Sequence, residues 1–216
     1  HDAEGAGRPL LLVGDPIHAG LLGSVYAMDL GEVVGAVEVD DVAVARVDGG
    51  ASDNPVGLRM SAGDVDGDGA TDVVVGSVHQ WLVTGPPASW PTAVDPDAYQ
   101  VLDYRRTRLG GDLDGDGVEE MVYAGVADGD DCSAYETRTD LNVSYGGPGV
   151  TLGRWDARAI GYCEAELAFA LGTNAIVGDT DADGFDDVVV GVWNSVGDPT
   201  RFGYPSGVGI FRGGGW

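Results

Sequence analysis

Three stretches of one design constrain what this chain can fold into: GDVDGDGATD (63–72), GDLDGDGVEE (111–120) and GDTDADGFDD (178–187). Each sets carboxylates at alternate positions of a glycine-bearing segment and runs straight into an apolar stretch, VVVG, MVYAG or VVVG. Valine-rich runs bounded by glycine and aspartate read as strands, not helices. A tight acidic loop entering a strand, three times over, specifies a repeat protein.

Aligned on these loops, each unit has the same frame. A polar–apolar strand leads in (VGLRMSAG, 56–63; YRRTRLGG, 104–111; LGTNAIVG, 171–178), then come the loop and the β-branched strand. A variable hairpin follows, and a last strand closes the unit (WLVTG, 81–85; NVSYGG, 142–147; GVGIFRGG, 207–214). The N-terminal LLLVG (10–14) matches the β-branched strand and GSVYAMD (23–29) the last one. Residues 2–10 then form a decayed loop, with Ala6 and Leu10 at its later positions. Loop starts at 2, 64, 112 and 179 give spacings of 62, 48 and 67 residues, the variation falling in hairpins and connectors, where insertions are tolerated.

Glycine or proline interrupts almost every window in which a helix could form, while short β-type runs recur at 10–13, 24–28, 42–47, 73–75, 81–84, 121–123, 142–145, 188–190 and 208–211. The expected class is all-β. A period of this length with about four strands per unit predicts a β-propeller, because one such sheet cannot bury both of its faces but radially stacked neighbours can. Residues 1–216 are read as a single propeller region of about four blades. The first unit lacks its leading strand and the last its fourth, so either the ring closes irregularly through these termini or, as the favoured expectation, further chain or another subunit completes a larger ring.

Charge narrows the function. Against 11 Lys and Arg stand 36 Asp and Glu, a formal net charge of −25, which repels nucleic acid and anionic membrane surfaces. Fourteen of those acids lie in the three loops, so the excess is concentrated where a cation would sit. There is no stretch of 18 apolar residues to span a bilayer, and the chain opens His1-Asp-Ala-Glu, without the features of a signal peptide. In an oxidising compartment Cys132 and Cys163 would pair, stabilising by about 3–4 kcal/mol in the chain-entropy model. In a reducing compartment they would stay free thiols.

Carboxylates at the first, third and fifth positions of a tight loop converge and repel unless a hard cation sits among them. Calcium suits such a set because it takes six to eight oxygens at flexible angles. The first loop offers Asp64, Asp66 and Asp68, the Ala70 carbonyl and Asp72. The second offers Asp112, Asp114, Asp116, the Val118 carbonyl and Glu120, and the third Asp179, Asp181, Asp183, the Phe185 carbonyl and Asp187. Gly69, Gly117 and Gly184 stand sixth, where the chain must turn sharply. An EF-hand or dockerin-type loop begins alike but places an acid or amide twelfth, ahead of a helix. Here the twelfth residues are Val75, Tyr123 and Val190, inside strands. About three Ca²⁺ sites of a strand–loop–strand type are expected.

Asp-x-Asp-x-Asp-Gly-x-x-Asp followed by VVVG resembles the FG-GAP repeat of integrin α-subunit propellers and of many secreted bacterial proteins. The resemblance covers essentially the whole chain, although Val56-Gly57 and the Gly172 region lack the family's Phe, and its Gly-Ala-Pro element survives only as VGDP (13–16). It implies a calcium-stabilised propeller, outside the cell, with more blades than the four units seen here. Calcium modules of the extracellular space bind at about 10⁻⁴–10⁻³ M, which fits that setting.

Catalytic signatures are missing from the sequence. His1, His18 and His79 have no paired metal spacing and read as surface residues, and neither GxSxG nor a phosphate loop occurs. Arg105, Arg106 and Arg108 read first as counter-charges to the second loop and, as the alternative, as a site for an anionic ligand. Trp81, Trp90, Trp155, Trp193 and Trp216 read mainly as packing residues. Two functions remain: an adhesion or scaffold module binding a protein or glycan opposite the metals, or a lectin or propeller domain of a polysaccharide-active enzyme.

Overall fold

The computed structural model describes residues 10–29, 31, 35–50, 55–77, 79–94, 106–127, 136–150, 157–165, 175–192 and 207–214. Within them the protein is all-β, in four small antiparallel sheets whose strands follow chain order. Helix is confined to single turns, α1 (His18–Leu21) and α2 (Val39–Val42), and a 3₁₀ turn at Pro87–Ser89. Among the described residues no helix is long and apolar enough to cross a membrane.

The chain divides into two compact units, His1–Asp103 with Gly146–Gly153, and Tyr104–Tyr145 with Arg154–Trp216. The first holds the sheet β1 (Leu10–Asp15), β2 (Ser24–Asp29), β3 (Ala43–Asp48) and the sheet β4 (Arg59–Gly63), β5 (Asp72–Gly76), β6 (Gln80–Val83). The second holds β7 (Arg106–Leu109), β8 (Met121–Ala127), β9 (Glu136–Ser144), β10 (Ala157–Ala165) and the sheet β11 (Ile176–Gly178), β12 (Asp187–Val192), β13 (Gly207–Phe211). The run ARAIGYCEA of β10, short of β-branched residues, gave no strand signal in the sequence.

Central strands explain the VVVG runs. Val73, Val74 and Val75 of β5 are at most 1% exposed, and so are Met121, Val122 and Tyr123 of β8. Consecutive residues of a strand point to opposite faces, so both faces of these sheets are covered, and a continuous apolar run is the sequence signature of that burial. Val73 and Val75 join Val25, Val47, Val56, Trp81 and Trp90 in the core of the first unit. Val122, Val143, Val188, Val190 and Leu113 form that of the second. Each fully buried valine contributes about 1.5–2 kcal/mol of transfer free energy. On the last sheet Ile176, Val189 and Ile210 stand in register across three strands, and Ile176 and Ile210 are exposed.

Each acidic loop joins the first strand of its sheet to the second. Gly63 pairs with Asp72 and Gly178 with Asp187, while Glu120 and Gly110–Gly111 exchange backbone bonds of 3.2 and 3.0 Å. The loops are therefore hairpin tips whose two ends are held by the ladder. One further bond recurs. Gly147 N donates to Val65 O (2.8 Å) in the first unit and Gly214 N to Leu113 O (2.7 Å) in the second. Both acceptors are second residues of a loop, and both donors lie three residues beyond the third strand of a sheet, after Ser144 and after Phe211.

Candidate metal centres

The first aspartate of each loop folds the loop around its own carboxylate. Asp64 accepts the Gly67 and Gly69 N–H at 2.9 Å each, Asp112 those of Gly115 (2.6 Å) and Gly117 (2.9 Å), and Asp179 those of Ala182 (2.6 Å) and Gly184 (3.1 Å). The fifth residues Asp68, Asp116 and Asp183 take the N–H of Ala70, Val118 and Phe185 at 2.7, 2.8 and 3.0 Å. The glycine at the sixth position follows from this wrap. Gly69, Gly117 and Gly184 have φ of +83°, +90° and +95°, a region that residues with a Cβ rarely enter.

These bonds gather carboxylate oxygens, though not in the same set each time. Asp64, Asp66 and Asp72 each bring one oxygen within 4.8 Å of the others, and Asp112, Asp114 and Glu120 do the same. Asp68 and Asp116 stand outside those groups. In the third loop the group is Asp179, Asp181 and Asp183, without Asp187. The expected Ala70, Val118 and Phe185 carbonyls lie in the loops beside them, and their N–H groups are those that the fifth carboxylates hold.

The ninth residue separates the three loops. Asp72 Oδ2 accepts from Val65 N (3.0 Å) and Asp66 N (3.3 Å), and its Oδ1 from Gly85 N (2.8 Å). Burial nonetheless raises its pKa to about 6, with the Asp66 charge adding. Asp187 makes the matching bonds to Thr180 N (3.1 Å) and Gly213 N (3.1 Å). Its pKa falls to about 2, chiefly because the Thr180 hydroxyl donates to it, with Gly213, Thr180 N and Arg212 also donating. Glu120, 1% exposed, has only half the set. Its Oε2 takes Leu113 N at 2.5 Å, but Oε1 has no hydrogen-bond partner among the described residues. Burial pushes Glu120 up to about 7, and Asp114, Asp112 and Asp116 push it further the same way. Burial likewise raises Asp66.

All these donors are hard oxygens, and a buried carboxylate oxygen with no N–H or O–H to accept is costly unless something positive reaches it. The residues therefore fit a hard divalent cation, best at the second loop. Asp112, Asp114 and Glu120 would hold it there, as Asp64, Asp66 and Asp72 would in the first loop and Asp179, Asp181 and Asp183 in the third.

Three residues at the loops carry roles that the motif alone does not reveal. Asp186 Oδ2 accepts Asp112 N, and Arg212 and Thr180 both donate to Asp187. Arg212 could have been found by aligning the last strands, since it stands where the other units have Thr84 and Tyr145. Of the histidines, His18 and His79 are half-buried instead of superficial, and His18 Nε2 lies 2.8 Å from the Arg46 guanidinium. Trp81 and Trp90 are 5% and 8% exposed, and Trp90 Nε1 donates to Gly85 O (2.9 Å), so both are packing residues. Arg106 and Arg108 lie on β7. Residues 2–9 of the decayed loop, Arg105, Trp155, Trp193, Trp216 and Cys132 lie outside the described residues, whereas Leu10 begins β1 and Cys163 lies on β10.

No protein-family model matches the chain, and no curated protein matches it either.

Proposed function

We propose that this chain is a calcium-stabilised β-propeller region of the FG-GAP type, part of a larger or multi-chain ring, that works outside the cell as an adhesion or scaffold module. The observation that carries the reading is Glu120 Oε1, a buried carboxylate oxygen with no donor, grouped with Asp112 and Asp114. Central strands buried on both faces support stacked blades, and the open face around Ile176 and Ile210 supports a further blade beside the last sheet. The metals would fix the hairpin tips on one side and leave the opposite loops to meet a protein or glycan. Three divalent ions would also offset six of the 25 excess negative charges. The buried Trp81 and Trp90 do not offer stacking faces to sugar rings, so the lectin reading gains nothing from them.

The test is thermal unfolding of the whole chain in calcium, in magnesium and in excess chelator, with calcium stoichiometry by equilibrium dialysis. Calcium is expected to raise the melting temperature, with about three ions bound per chain. Identical melts in calcium and chelator, with no ion retained, would remove the basis for the reading.

A further inference from the structure

The three loops end on the same ladder position but not on the same neighbour. Val83 pairs with Val73, Ser144 with Met121 and Phe211 with Val188, so Thr84, Tyr145 and Arg212 each come next to the ninth residue of their loop. Among these three positions only that beside the third loop holds a cation. Arg212 Nη1 lies 2.8 Å from Asp187 Oδ2, 2.9 Å from Asp181 Oδ2 and 2.8 Å from Thr180 Oγ1. Asp181 belongs to the group that would hold the third ion, and Asp187 is the one ninth residue left out of its loop's group.

We propose that Arg212 is a tethered counter-cation that sets the metal affinity of the third loop, making it the weakest of the three sites and the least dependent on calcium for its order. This rests on the calcium reading above. The guanidinium already supplies positive charge to Asp181 and Asp187, so a divalent ion at Asp179, Asp181 and Asp183 gains less there. It must also share Asp181 with, or displace, a group of its own sign. The second loop is the opposite case, since Glu120 Oε1 has no donor among the described residues. Calcium therefore fills the loops in order, the second and first before the third.

The amides of Gly69, Gly117 and Gly184 report each loop separately, because each donates to the first aspartate of its own loop. In a calcium titration of the ¹⁵N-labelled full chain, the Gly184 resonance should shift last. Arg212→Thr, which copies Thr84 beside the first loop, and the longer neutral Arg212→Gln should each move the Gly184 midpoint to about tenfold lower calcium. The Gly69 midpoint should stay where it was. In chelator both variants should melt below the wild type, and their gain on adding calcium should be larger. A Gly184 midpoint that coincides with the other two in the wild type, or that neither variant shifts, overturns the role of Arg212 while leaving the calcium sites standing. Glycine resonances that ignore calcium throughout overturn the calcium reading, and this inference with it.

Discussion

Asp112 and Asp186 clasp each other across two neighbouring loops of the second unit: Asp112 N donates to Asp186 Oδ2 and Asp186 N to Asp112 O, both at 2.9 Å. Asp186 is thus an acid of the third loop spent on the backbone of the second, outside every carboxylate group that could hold an ion. Beside it, the Gly213 backbone comes so close to Asp186 O that a Cβ there would collide with it, and a Cβ on Gly115 would meet the Phe185 ring at 2.5 Å. The two hairpin tips are locked together by shape as well as by hydrogen bonds. Asp186→Ala removes a charge-assisted acceptor from a half-buried N–H and should destabilise by about 1–3 kcal/mol. Calorimetry on the whole chain in chelator checks this, since the loss should be present without any metal. An unchanged melting temperature would show that the clasp contributes nothing.

Stability should depend on pH in the direction opposite to ordinary acid unfolding when calcium is absent. Glu120 rises from 4.5 to about 7 and Asp72 from 3.8 to about 6 on folding, mainly through burial. A carboxyl whose folded pKa is raised binds its proton more tightly in the folded state. Its contribution is therefore complete below the unfolded value and is lost as pH climbs to the folded one. Between about pH 4.5 and 7 the melting temperature in chelator should fall as pH increases. Calcium needs the ionised carboxylates, so its apparent affinity should instead rise through the same window. Melts across that window with and without calcium separate the two trends. A metal-free melting temperature that rises across it would contradict the burial of Glu120.

How much of this was legible depended on how local the signal was. The β-branched run at 73–75 marked a central strand because burial on two faces demands an unbroken apolar stretch, and the run at 188–190 marked β12 although Val189 stands on its more open face. The loops were legible because one carboxylate wrapping the backbone fixes the spacing of glycine and aspartate over six residues. The cross-loop partners were not. Asp186 reads as one more acid in a run of acids, and only the fold brings it to Asp112, 74 residues away. The ninth residues looked interchangeable, yet Glu120 and Asp187 are shifted in opposite directions, to about 7 and about 2, by what surrounds them. Strand β10 was hidden for another reason. Its residues alternate poorly, and pairing with β9 decides its conformation.

The third loop has a repairable backbone. Ala182 has φ of +63°, the only non-glycine with positive φ among the described residues, and it stands where the other loops have Gly67 (+76°) and Gly115 (+82°). A Cβ in that region costs about 1–2 kcal/mol, partly offset by the greater freedom that glycine has in the unfolded chain. Ala182→Gly should therefore stabilise by about 0.5–1 kcal/mol, measured by denaturant unfolding in chelator. A destabilised variant would mean that Ala182 gains more from its surroundings than its backbone loses.

Trp81→Ala tests whether the tryptophans pack or present. Trp81 lies in the core of the first unit with Val73 and Val75, so its truncation should cost about 3–5 kcal/mol. The loss should appear as early unfolding of that unit. Glycan binding lost in a variant that melts like the wild type would instead revive the lectin reading.

Glu120→Gln separates the cost of the buried charge from its use. The amide oxygen can still accept Leu113 N, but the ionised carboxylate and its partnerless oxygen are gone. In chelator at pH 8, above the raised pKa of about 7, the variant should melt higher than the wild type, because ionised Glu120 is the more penalised group. At pH 5 the wild-type carboxyl holds its proton in the folded state, and the gap should close. In calcium the order should reverse, since the amide carries no charge to offer the ion. For one site at tenfold excess over its dissociation constant, the calcium gain is about 1.4 kcal/mol, and the variant should lose most of it. Parallel melts of wild type and variant in calcium would remove Glu120 from the metal shell, whatever the other two loops bind.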